Sequence, residues 1–210
     1  MGLNCFQDLI TSVDELSNLI GTPSELVIKK QLSELDDHMR TFIAESPFLL
    51  LGTVDREGRC DVSPRGDVPS VASVIDSQTL VLAERPGNRR ADSLQNIMET
   101  GRVGLLFMIP GQGETLRVNG RACVFRDNAV LETMTVNDKQ PVVGIGVEIE
   151  ECYLQCAKAL IRSHLWDNPE NRKQTSLPSY GQILIDQTKI DQTVESLNQQ
   201  IEESYAKRLY

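Results

Sequence analysis

The chain has 210 residues, 40% apolar and 24% charged, with 21 Lys and Arg against 30 Asp and Glu and a formal charge of −9. That much apolar material excludes a wholly disordered chain, and so acidic a composition excludes a general nucleic-acid binder, whose phosphate contacts need a basic face. No apolar run approaches the about 20 residues that span a bilayer. The start, MGLNCFQDLITSVDEL, lacks the basic-then-apolar order of a secretory leader. A cytoplasmic protein without a membrane partner is expected. The five cysteines (Cys5, Cys60, Cys123, Cys152 and Cys156) make no disulfide framework. With only His38 and His164 beside them they match no zinc spacing, so no metal is expected. Cys152 and Cys156, four residues apart, read as small apolar groups on one helix face.

In chain order, Leu9, Ile10, Val13, Leu16, Leu19 and Ile20 recur at helical spacing until Gly21. Thr22-Pro23-Ser24-Glu25 predicts a second start capped by Thr22, with Leu26, Ile28, Leu32, Leu35, Met39 and Phe42 following. Residues 1–46 are thus a helical extension. Strands begin at Pro47. Residues 48–54 and 59–63 flank the turn Asp55-Arg56-Glu57-Gly58, residues 70–75 and 79–83 flank Asp76-Ser77-Gln78, and residues 103–109 and 114–126 flank Pro110-Gly111-Gln112-Gly113. Asn119-Gly120 is either a hairpin turn or a bend in one long strand. Residues 142–149 are a further strand. Five to seven strands with few long helices predict an antiparallel sheet or barrel over 47–167. After Cys152 the period turns helical (Tyr153, Cys156, Ala157, Leu160, Ile161). Residues 168–210 are a polar connection and a helical tail that packs on the barrel or on a second subunit.

More than half of the cationic side chains lie in residues 58–165, and most are Arg. The informative stretch is LVLAERPGNRRADSLQNI (80–97), a strand running through a Pro-Gly turn into a helix with Asn88 as its cap. Arg89 and Arg90 would then occupy the first turn, where the helix dipole disfavours cations. Two readings stand: a phosphate site, which Arg forks suit, or a solvated basic turn neutralised by Glu84 and Asp92. In a second cluster, Asp61-Val62-Ser63-Pro64-Arg65-Gly66-Asp67-Val68-Pro69, the residues Ser63, Arg65 and Gly66 offer a hydroxyl, a guanidinium and a close-approaching backbone between strands; it also reads as an irregular loop with two prolines. Arg117 and Arg121 share a face if their strand is regular. No GxGxxG after a strand, no GxxxxGK[ST] and no GxSxG occurs.

Together GTVDREGRCDVSPRGD (52–67), LVLAERPGNRRADSLQNI (80–97), VGLLFMIPGQGETLRVNGRA (103–122) and CAKALIRSHLW (156–166) resemble the pyridoxamine 5′-phosphate oxidase-like flavoproteins. The resemblance implies a mainly β fold with flanking helices, a six-stranded antiparallel split β-barrel that dimerises and holds FMN at the subunit interface. Asn88, Arg89 and Arg90 fall on the family's phosphate-binding Ser-Arg-Lys motif. Ser63 and Arg65 fall near the strand that meets the phosphate and flavin ring. Thr115 stands where a Gln faces the flavin, Arg117 matches an Arg of the same strand, and Trp166 matches a Trp from the partner subunit. The family's closing Arg-Leu-His-Asp-Arg run has no counterpart in ESYAKRLY (203–210), so oxidation of vitamin B6 itself is not implied. The expected function is an FMN-dependent oxidoreductase acting, as a homodimer, on a small molecule. No catalytic residue is assigned. The alternatives are the same barrel holding a deazaflavin or haem, with His164 as the ligand, or a non-catalytic sensor.

Overall fold

The computed structural model describes residues 5–167, 176–207 and 210. Helices α1 (Val13–Ile20), α2 (Glu25–Lys29) and α3 (Asp37–Ala44) lead into strands β1 (Phe48–Val54), β2 (Cys60–Gly66), β3 (Ser73–Val74) and β4 (Thr79–Ala83). Then come α4 (Asp92–Thr100), β5 (Arg102–Met108), β6 (Thr115–Phe125), α5 (Asn128–Glu132), β7 (Gly144–Gln155), α6 (Lys158–Ser163), α7 (Tyr180–Thr188) and α8 (Val194–Lys207). Among the described residues, no helix is long and apolar enough to cross a membrane.

Alternation builds the sheet. Leu49, Leu51 and Thr53 of β1 and Val103, Leu105 and Phe107 of β5 all point inward, and the residues between them do not. β1 and β5 pair antiparallel with Leu51 opposite Leu105. Leu80 and Leu82, Leu116 and Val118, and Ile145 and Val147 continue the same core, which α3 covers with Met39 and Ile43 and α4 with Ile97. The α3 cap is Asp36, whose carboxylate accepts from the Met39 N–H at 2.8 Å.

Four expectations are corrected. The sheet has seven strands, not six, in the order β2-β1-β5-β6-β7-β4-β3. Its two edges are not paired with each other, so it stays open. β2 carries Pro64, which has no N–H to donate, and none of its positions is fully buried, as befits an edge. β3 is only two residues long. Second, the predicted second helix breaks in two, because Leu32 leaves helical geometry to exchange both main-chain hydrogen bonds with Cys152 (3.0 and 2.8 Å). Its first piece starts after Ser24, not Thr22, and the Ser24 side chain makes no capping hydrogen bond. Third, β7 does not stop near residue 149 but runs to Gln155, held by β6 on one side and by Leu32 on the other. Cys152 therefore lies in a strand, and its buried thiol, pushed up to about 11 by desolvation first and by neighbouring carboxylates second, is chemically quiet. It shares no helix face with Cys156. Fourth, Asn88 does not cap α4, which starts at Asp92 behind Ala91.

Asn119-Gly120 is the bend, not the hairpin. Asn119 faces Glu151 and Gly120 faces Ile149, so Glu150 is an extra residue in β7 and the ladder kinks there. A Cβ on Gly120 would lie 2.0 Å from the Glu148 carbonyl oxygen. The predicted polar connection falls largely on residues 168–175, outside the described residues. α7 and α8 pack on each other, with Asn198 accepting from the Gly181 N–H at 3.0 Å.

Gly120→Ala is expected to destabilise the domain by about 2–3 kcal/mol through this backbone clash. Urea unfolding checks it; an unchanged midpoint would place the bend elsewhere.

Candidate functional site

β4 delivers the chain to Glu84, whose N–H bonds the Val143 carbonyl at 3.1 Å, and Pro86-Gly87 then turns it outward. Asn88 is not a helix cap. Its Oδ1 accepts from the Arg90 N–H at 3.0 Å, forming a local turn. Arg89 (φ +63°) and Ala91 (φ +58°) are both left-handed, so the helix starts only at Asp92. Arg89 and Arg90 thus stand in the loop just ahead of α4, not in its first turn. Ala91 occupies the cap position, and among the described residues no side chain bonds the first amides of α4. A helix start without a capping oxygen carries unmet N–H donors and partial positive charge.

This corner opens on a cleft of about 1160 Å³ between the end of β4, the start of α4, β2 and the loop before β7. A polar chain crosses its floor. Ser93 donates to Asp61 Oδ2 at 2.6 Å, the Ser63 and Ser93 hydroxyls are 3.0 Å apart, and Arg65 Nε reaches Ser63 Oγ at 3.3 Å. Arg65 also pairs with Glu84.

The arginines of the corner differ in what holds them. Arg85 donates through Nε to Asp67 Oδ2 at 2.7 Å and through Nη2 to the Met134 carbonyl at 2.8 Å. The Arg85 and Asp67 side chains are 15% and 8% exposed. Removing one partner of so enclosed a pair costs about 3–5 kcal/mol, so Arg85 is committed. Arg90 pairs with Asp92 at 2.8 Å, but these side chains are 73% and 44% exposed. Such a pair contributes about 0–1 kcal/mol and yields to a stronger anion. Arg89 is exposed and, among the described residues, has no ion pair. Of the acids expected to neutralise the turn, Asp92 pairs with Arg90, whereas Glu84 goes to Arg65; Arg85 is neutralised by Asp67, and Arg89 has no ion pair among the described residues.

Of the predicted site residues, the fold brings Ser63, Arg65, Asn88, Arg89 and Arg90 to this cleft. Thr115, Arg117 and Trp166 lie outside its lining. Thr115 is buried, with Oγ1 at 3.4 Å from Gln155 Oε1. Arg117 donates to the Tyr153 hydroxyl at 2.9 Å and Trp166 to the Gln112 carbonyl at 2.7 Å. Arg117 and Arg121 do share a face of β6, but Arg121 is exposed and bonded to Glu148 at 2.8 Å. His164 is exposed with Nδ1 on Asp167 at 2.9 Å, away from the cleft. Sequence reasoning missed Asp61, Ser93 and Tyr210 as lining residues. Asp61 and Ser93 lie inside the motif stretches already singled out; Tyr210 carries no local signal.

A family model described as pyridoxamine 5′-phosphate oxidase matches residues 35–156, more than half of the chain. No curated protein matches the chain. Among solved structures, HupZ of group A Streptococcus is 16% identical, with a TM-score of 0.49 over 58% of this chain and 94% of that one. A candidate pyridoxamine 5′-phosphate oxidase of Lactobacillus delbrueckii is 22% identical, at 0.48 over 59% and 98%. An FMN-binding protein of Syntrophomonas wolfei is 18% identical, at 0.43 over 55% and 82%.

Asp92→Asn should act in two opposed directions. It removes a first-turn acid, at a cost of about 0.3–1 kcal/mol of stability, and it frees Arg90, so inorganic phosphate should bind about two- to fivefold more tightly. Thermal unfolding and phosphate titration calorimetry check the pair; weaker phosphate binding would mean that Arg90 does not face the anion.

Proposed function

The chain belongs to the pyridoxamine 5′-phosphate oxidase family, and from that premise we propose that it binds FMN in the cleft beside α4 and works as an FMN-dependent oxidoreductase on a small molecule. The observation that carries this reading is the pairing of an uncapped helix start with Arg89, which has no ion pair among the described residues, and the loosely held Arg90 in one cleft. Phosphate is the ligand chemistry that such a corner fits. The lining carries five basic and four acidic side chains. One surplus charge does not match a dianion, so the α4 amides supply further donors, and Arg90 turned from Asp92 brings its guanidinium to the anion. The volume exceeds the about 300–1,000 Å³ of ordinary ligand pockets, which leaves room for a mononucleotide with a second small molecule beside it.

When bound, FMN supplies the two-electron chemistry. The chain's own residues do the holding. Arg89, Arg90 and the amides of Ser93 and Leu94 take the phosphate end. Ser63 and Arg65, fixed by Ser93 and Glu84, form the wall where the family places the ring. No side chain is assigned as general acid or base, and no His lines the cleft among the described residues.

We propose a homodimer for the same reason. Thr115, Arg117 and Trp166 lie outside this cleft, which fits a site completed by the equivalent residues of a second copy. Val13, Leu19 and Leu26 on α1 and α2 are exposed, and such apolar surface suits an interface.

Replacing Arg89 and Arg90 together by Ala should weaken FMN binding at least tenfold, since each charge-assisted hydrogen bond contributes about 1.5–3 kcal/mol, with the unfolding midpoint unchanged. Fluorescence titration checks it. Equal affinity in the double variant removes the phosphate assignment; a Soret band on purification replaces flavin by haem.

A further inference from the structure

Tyr210 follows α8 by three residues, yet it lines the same cleft, and it is the only aromatic side chain to do so among the described residues. Three contacts fix it. Its hydroxyl donates to Asp67 Oδ1 at 3.0 Å, the Arg85 guanidinium lies over its ring at 5.4 Å from the centroid, and Lys139 Nζ donates to its main-chain oxygen at 2.6 Å. The anchors come from the end of β2, the end of β4 and the loop before β7, and Asp67 is 143 residues away in sequence.

This arrangement explains why Arg85 differs from Arg89 and Arg90. Its Nε and Nη2 donors go to Asp67 and Met134, which fixes the guanidinium plane, and its flat face lies against a ring. Asp67 in turn accepts from both Arg85 and Tyr210 and holds the two in register. The Asp67 bond also raises the Tyr210 phenol above its usual range, ahead of the smaller effect of desolvation, so the hydroxyl stays protonated as a donor. One cleft thus presents phosphate-type donors at the start of α4 and a rigid aromatic surface on its wall. The complementary ligand is a flat ring carrying an anionic tail.

We propose that Tyr210 is a ligand-contacting residue that selects for the planar ring, and that Asp67, Arg85 and Lys139 are the positioning residues that hold it there. The proposal rests on the flavin reading of this cleft and names a group that the reading alone does not. A ring contact and an anion contact separate by ligand. Wild type, Tyr210→Ala and Tyr210→Phe are titrated with FMN, with riboflavin, which lacks the phosphate, and with inorganic phosphate, which lacks the ring. Tyr210→Ala should weaken FMN and riboflavin alike, about five- to tenfold, as loss of one aromatic contact does. Tyr210→Phe, which keeps the ring and loses the Asp67 bond, should stay within about threefold. Phosphate should bind all three proteins equally, which also shows that the arginine corner is intact. If Tyr210→Ala binds both flavins like wild type, or loses phosphate as much as FMN, the proposal is overturned and the flavin reading stands. If wild type itself binds neither flavin, the flavin reading falls and Tyr210 falls with it.

Discussion

A helix that begins without a capping oxygen is the constraint on which the site depends. The chain reaches α4 through two left-handed residues, Arg89 and Ala91, and Ala91 has no side-chain oxygen to offer. A Ser or Asp at that position would satisfy an amide and stabilise the helix by about 1 kcal/mol. Left-handed geometry at two residues other than Gly adds a further cost. An anion at the same place would offset both, by accepting from the free amides and neutralising Arg89.

The surrounding charges are graded so that this corner stays available. Arg85 and Asp67 are enclosed and spend their donors and acceptors on each other, on Met134 and on Tyr210. Arg65 is tied to Glu84 and to the Ser63–Ser93–Asp61 chain. Toward solvent, at Arg89 and Arg90, the neutralisation becomes weak or absent among the described residues, and Lys139 is held by the Tyr210 main-chain oxygen. An acidic protein thus keeps a small cationic opening without a basic surface. The open sheet edge at β2 forms one wall of that opening, so the seven-strand arrangement and the site have a common origin in β2 and in the loop that follows β4.

Much of this was legible in the sequence where the signal is local. The runs 48–54, 79–83 and 103–109 and the turns beside them predict β1, β4 and β5. The stretches 61–67 and 80–97 held the residues that meet at the cleft. What stayed hidden depends on distant partners. Leu32 looks helical by spacing but bonds to Cys152, and Cys152 through Cys156 mimics a helical step while lying largely in β7. The spacing of Asn88 suggested a cap because nothing local reveals that Arg89 and Ala91 turn left-handed. The three neighbouring arginines look equivalent in one dimension; Asp67, Met134 and Asp92 make them different in three. Tyr210 had no signal at all, since its partners are the ends of two strands and a loop.

The most direct test is a crystal structure of the protein grown with FMN. The account predicts a phosphate within hydrogen-bond reach of Arg89 and the Ser93 amide, Arg90 swung from Asp92 onto the phosphate, and Arg85 still on Asp67. A flavin seated elsewhere, or a cleft in which Arg90 remains on Asp92 and α4 faces only water, would contradict it.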